Sequence, residues 1–222
     1  MDAIERVEVS VRTRMVNAFS LKYGPFGHLS SAALPGLLPD EHSGFLWNLR
    51  AEAKKSREPF VDHYRTKYTA EADLPLWMAA ELMSFGAMLT FYRGIEKHVQ
   101  TPLAAEYQIQ GPVLHSWLRT LSYIRNMCAH HARTWDRVLA IQPFIPRRGS
   151  QPQWYTPVDV SARRNCLFSV LTVLRYMLTI VAPQSHWQER LEKLLAAHPD
   201  IPLYAMGLPA NWKDCPIWQK PT

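Results

Sequence analysis

The residues of this chain best suited to chemistry fall in one stretch: Leu121-Ser-Tyr-Ile-Arg125-Asn126-Met-Cys-Ala-His130-His131-Ala-Arg133-Thr-Trp135-Asp136-Arg137. Wound as a helix at about 100° per residue, it puts Asn126, His130, Arg133 and Arg137 on one polar stripe. Leu121, Ile124, Cys128, Trp135 and Leu139 form the buried side. Arg125 lies roughly 140° round from His130, and its long side chain bends toward that face or toward a neighbouring subunit. Histidine titrates near neutral pH, so it accepts or donates a proton. Arginine keeps its charge and grips a phosphate through two hydrogen bonds. Asparagine orients an imidazole or a ribose hydroxyl. The set suits phosphodiester chemistry. A solvated helix face would look the same, and periodicity alone does not separate the two.

The neighbours carry weaker signals. His131 projects nearer the apolar side, as a satisfied structural histidine or as one more contact to a nucleic acid. Arg133 and Arg137 are candidates for backbone-phosphate contacts. Arg12, Lys22, Arg147 and Arg148 extend a basic surface, though each alone is more simply a solvated charge. Tyr23, Phe26, Trp77 and Trp135 read as core rather than as base-stacking platforms. Cys128 shares its face with no general base and reads as a small hydrophobe.

Around these residues there must be a scaffold. The chain has 222 residues, enough for one domain with a sizeable core. Hydrophobic residues make up 47% and charged residues 20%, which excludes a disordered or collagen-like chain. The formal charge is +6, so a polyanion is a reasonable partner. Cys128, Cys166 and Cys215 are widely spaced and lack a CxxC pair, which argues against a disulfide framework or a zinc site. No metal or other cofactor is expected. The first residues are charged and periodic rather than a signal peptide, and no apolar run reaches the length of a membrane span. A cytoplasmic protein is the natural reading.

The expected fold class is all-α. Ile4, Val7, Val11, Met15 and Ala18 mark a first helix, ended by Tyr23-Gly-Pro-Phe-Gly27. Further helices are expected over about 41–56 and 59–67. Another covers 75–92, with Trp77, Leu82, Phe85 and Leu89 apolar and Gly86 in its middle. Glu81 there is either a buried anchor or faces water. A long helix over 113–140 carries the polar stripe, with a basic turn at 147–150 beyond it. Helices over 160–181 and 186–198 follow. Residues 199–222, with five prolines, form an irregular strap that Trp212 and Trp218 pin to the body. The whole reads as a single domain, a helical body over about 1–198 followed by this strap.

Arg125, one polar residue, three more and then His130 resembles the motif of the HEPN superfamily. The chain more closely resembles the Abi-like family of bacterial abortive-infection proteins. The likeness rests on Glu5-Arg-Val-Glu-Val-Ser-Val-Arg-Thr-Arg14, Lys22-Tyr-Gly-Pro-Phe-Gly-His28, Phe60-Val-Asp-His-Tyr64, Leu74-Pro-Leu-Trp-Met78, Glu81-Leu-Met-Ser-Phe-Gly86 and Arg125-Asn-Met-Cys-Ala-His-His131 through Trp135. Leu208-Pro-Ala-Asn-Trp212 with Pro216-Ile-Trp218 matches the family's ending, so the likeness covers nearly the whole chain. The resemblance implies a HEPN-like helical bundle and a homodimer with a composite site. It implies metal-independent cleavage of RNA, with Arg125 and His130 as the catalytic pair and Asn126 as the polar residue beside them. It equally allows an RNA-binding protein that does not cleave and forms a regulated complex with a structured non-coding RNA. The resemblance also implies a further N-terminal helical segment before Glu5; the sequence is expected to be short there, as a natural short form, a truncated reading frame or a member whose leading segment is a separately encoded partner.

Overall fold

The structure is a computed structural model and describes residues 1–146 and 165–219. Among these residues all regular structure is helical, in agreement with the expected all-α class. None of the described helices is long and apolar enough to cross a membrane. The backbone forms two compact units. The middle unit is Val9–Gly111; the terminal unit joins Met1–Glu8 to the chain from Pro112 onward. Helix α1, Asp2–Tyr23, starts in the terminal unit and runs into the middle one. Its Ile4, Val7, Val11, Met15 and Phe19 recur every three or four residues and are all buried.

In the middle unit α1 is followed by α2 (Pro39–Lys55), α3 (Pro59–Lys67), α4 (Leu76–Glu81), α5 (Phe85–Gly94) and α6 (Lys97–Ala105). Phe91 is the hub of its core. Phe19 meets it edge-on at 4.9 Å and Phe45 stacks on it at 5.8 Å. Each such ring contributes roughly 1.5–3 kcal/mol by leaving water. The connection between α1 and α2 is held down at Gly36, whose N–H donates to the Gly94 carbonyl at 3.0 Å. A Cβ at Gly36 would strike the Arg93 carbonyl oxygen, so only glycine permits this approach.

Two expectations here need correction. Residues 75–92 do not form one helix. The Ser84 side chain accepts the Ala87 N–H at 3.2 Å, an N-cap that restarts the chain as α5. Gly86 therefore sits in a first turn and not in mid-helix. Helix α6 contains Pro102. Gln100 secures it by donating to the carbonyls of Tyr92 and Ile95 at 2.8 and 2.7 Å.

The terminal unit contains α7 (Gly111–Ala129), α8 (Leu167–Val181) and α9 (Trp187–Ala197). Trp117, Leu118 and Leu121 on α7 and Phe168, Tyr176 and Met177 on α8 are buried. The Trp117 and Tyr176 rings meet edge-on at 5.5 Å. Trp117 also donates its indole N–H to the Phe144 carbonyl at 2.7 Å, fixing the chain beyond α7. Helix α8 begins at Leu167 rather than near Val160; Val160 itself, Trp154 and Tyr155 lie outside the described residues. The C-terminal strap is a series of short 3-10 turns. Trp212 and Trp218 are buried and meet edge-on at 4.9 Å. The Trp218 indole donates to Thr172 Oγ1 on α8 at 3.2 Å, so the expected pinning holds.

Candidate active site

Helix α7 stops at Ala129 and does not continue to 140. The stop is a C-terminal cap closed by two backbone bonds. The His131 N–H donates to the Cys128 carbonyl at 3.0 Å, and the Ala132 N–H reaches back to Met127 at 2.9 Å. This pairing is the Schellman motif, in which the residue after the cap turns left-handed. His131 does so, with φ of 54°. It is exposed, not directed to the apolar side as expected.

The cap alters the helical stripe. Asn126 and His130 keep their shared face, because the His130 N–H still bonds to the Asn126 carbonyl at 3.0 Å. Arg133 and Arg137 lie beyond the cap and leave the helix altogether. Arg125, half-buried, donates from Nη1 to the Asn126 Oδ1 at 3.2 Å. The Asn126 side chain thus meets Arg125, whereas its bond with His130 is the ordinary backbone bond of the helix and leaves the imidazole aside. Asn126 and His130 are exposed. Cys128 and Trp135, expected on the buried side, are only half-buried, whereas Leu121, Ile124 and Leu139 are buried.

Arg133 is engaged locally. Its Nε pairs with Asp136 Oδ1 at 2.9 Å and its guanidinium lies 5.8 Å from the centre of the Trp135 ring. An exposed pair of this kind contributes about 0–1 kcal/mol, so a phosphate can compete for the arginine. The i,i+3 spacing of Asp136 is a signal the stripe reading passed over. Arg137 is exposed. Arg12 and Lys22 belong to the other unit. There Arg12 donates to the Met83 carbonyl at 3.3 Å, and Lys22 pairs with Glu96 at 3.4 Å. Arg147 and Arg148 lie outside the described residues.

A family model described as "Abi-like protein" matches residues 1–136. The chain belongs to the Abi-like protein family. Comparison with curated proteins and with solved structures gives no significant match. The Abi-like match contains α1 to α7, the capped turn, Arg125, Asn126, His130 and Arg133, and it ends at Asp136. Arg137 and the strap with Trp212 and Trp218 fall beyond it, so the shown likeness is shorter than the near-complete one expected. Among the described residues no group of three or more His, Cys, Asp or Glu side chains is placed to hold a metal ion. The Abi-like chain therefore presents an imidazole, an amide and a guanidinium at one exposed helix end. These groups offer ring nitrogens, a side-chain amide and a fixed positive charge.

Proposed function

We propose that this protein is a HEPN-type endoribonuclease of bacterial antiphage defence, acting in the cytoplasm as a toxin or abortive-infection effector. The observation that carries the reading is the placement of Arg125, Asn126 and His130 together at the end of α7, with the Arg125 guanidinium bonded to the Asn126 side chain. His130 takes the proton from a ribose 2′-hydroxyl, and the freed oxygen attacks the adjacent phosphorus. The bond from phosphorus to the 5′ oxygen breaks, and that oxygen leaves with a proton from the His130 of a second copy. Arg125 stabilises the charge gathered on the phosphorane oxygens. The products are a 2′,3′-cyclic phosphate and a 5′-hydroxyl. DNA lacks the attacking hydroxyl and is spared.

A two-fold axis would bring two such motifs into one cleft, and the exposure of Asn126 and His130 leaves their face available for that pairing. Arg133 and Arg137 would then hold backbone phosphates on either side. The same exposure favours one other reading. A site open to water is better built for gripping RNA than for acid–base chemistry, which gains from a dry surrounding. In that reading the protein binds a structured non-coding RNA without cutting it.

The test is incubation of a labelled RNA and its all-DNA counterpart with the protein in EDTA, followed by identification of the product ends. Cleavage of RNA alone, giving cyclic phosphate ends, is expected. Cleavage that needs a divalent metal, or that cuts DNA equally, contradicts the mechanism. Tight RNA binding without cleavage favours the second reading.

A further inference from the structure

A groove of about 460 Å³ in the middle unit lies between one stripe of α1 and the outer face of α4. Thr13, Asn17 and Ser20 line it from α1, and Trp77 and Glu81, one turn apart, from α4. Trp77 was expected in the core but is 50% exposed, so its indole offers a stacking face at the groove. Arg12 also lines it and is engaged, donating to the Met83 carbonyl at 3.3 Å, but other polar groups there are uncommitted. Ser20 Oγ is buried and has no hydrogen-bond partner. Neither the Asn17 amide nor the Glu81 carboxylate has a side-chain hydrogen bond or ion pair among the described residues. By contrast Glu41, Glu96 and Glu106 in the same unit are each paired with a basic side chain.

We infer that this groove takes a single unpaired guanine of an RNA strand; the inference rests on the RNA reading above. An aromatic face with hydrogen-bonding groups at its edge is how proteins hold splayed-out bases. The carboxylate selects among them. Guanine presents two adjacent donors, N1–H and the 2-amino group, which together match a carboxylate's two oxygens. Adenine, cytosine and uracil each place a ring lone pair or a carbonyl oxygen beside their single donor, and these repel Glu81. The guanine O6 accepts from the Asn17 amide.

The test uses the full chain carrying His130→Ala, so that no RNA is cut during titration. Calorimetry compares the RNA pentamers UUGUU and UUAUU, and GMP with AMP. The guanine-containing member of each pair is expected to bind at least about 10-fold more tightly, a preference that Glu81→Gln removes. Trp77→Ala should weaken both members of each pair by about 5-fold or more, in line with the loss of one stacked base. Circular dichroism verifies the fold of both variants. Equal affinity for the two pentamers and for the two nucleotides overturns the inference, as does a guanine preference that survives Glu81→Gln. So does tight binding of an arginine-rich peptide with no binding of GMP, which would make the groove a protein-docking site. GMP binding that depends on Trp77 and Glu81, in a wild-type protein that neither binds nor cuts RNA, supports the groove while the RNA reading fails.

Discussion

Glycine is the usual residue at the position His131 occupies, because a Cβ disfavours the left-handed region. Histidine is one of the few other types found there. His131→Gly should therefore leave stability unchanged or raise it by up to about 1 kcal/mol, whereas His131→Val should lower it by about 1–2 kcal/mol. Urea unfolding of the two variants checks this. Equal stability would mean that the left-handed cap is not where α7 ends. A second histidine matters for a different reason. His28 is buried, its Nδ1 has no hydrogen-bond partner, and its carbonyl accepts from His42 Nε2 at 3.0 Å. Burial lowers its pKa to about 4, against a smaller upward pull from Asp73. The unfolded chain protonates this residue near pH 6.5, whereas the native state resists until about pH 4. The stability contributed by neutral His28 is thus complete above pH 6.5 and is lost as pH falls toward 4, on the order of 3 kcal/mol across the window. Wild type should lose stability relative to His28→Phe as pH drops through that range, because only the wild type must keep an imidazole neutral in the native state. Parallel pH profiles would contradict the assignment.

At the scale of elements, legibility followed the strength of the local pattern. The stripe from Ile4 to Met15 and the proline that opens residues 59–67 were enough to place α1 and α3. The end of α7 was hidden because no glycine or proline marks it; a histidine and two backbone bonds do the work there. The division between α4 and α5 was hidden because Ser84 sits inside an apolar run and caps from within it. That cap gives a prediction. Ser84→Ala should cost about 1 kcal/mol, within the usual range of roughly 0.5–2 kcal/mol for a lost N-cap. Ser84→Asp should retain most of the stability, since its carboxylate can accept the same N–H. Thermal unfolding of the pair checks it, and an unchanged Ser84→Ala midpoint would remove the cap from the account. The candidate site was legible in part. Arg125, Asn126 and His130 could be grouped from sequence because they lie on or just after one helix. Arg133 and Arg137 were wrongly joined to that stripe because helical periodicity carries no information about where the helix stops.

For the whole molecule, the charge of +6 and the exposed helix end bear on partners rather than on fold. One Arg–His motif per chain supplies one imidazole, and the proposed reaction uses two. Light scattering at micromolar concentration should accordingly give twice the 25.6 kDa of the chain. A monomer, with RNA present as well as without it, would contradict the composite site. The proposed proton transfer by His130 is tested by the single-turnover rate of RNA cleavage by wild type and His130→Ala. His130→Ala should lower that rate by at least about 10²-fold with an unchanged circular dichroism spectrum, because His130 is exposed and general acid–base help is worth roughly 10²–10⁴-fold. Cleavage by His130→Ala at the wild-type rate would contradict it.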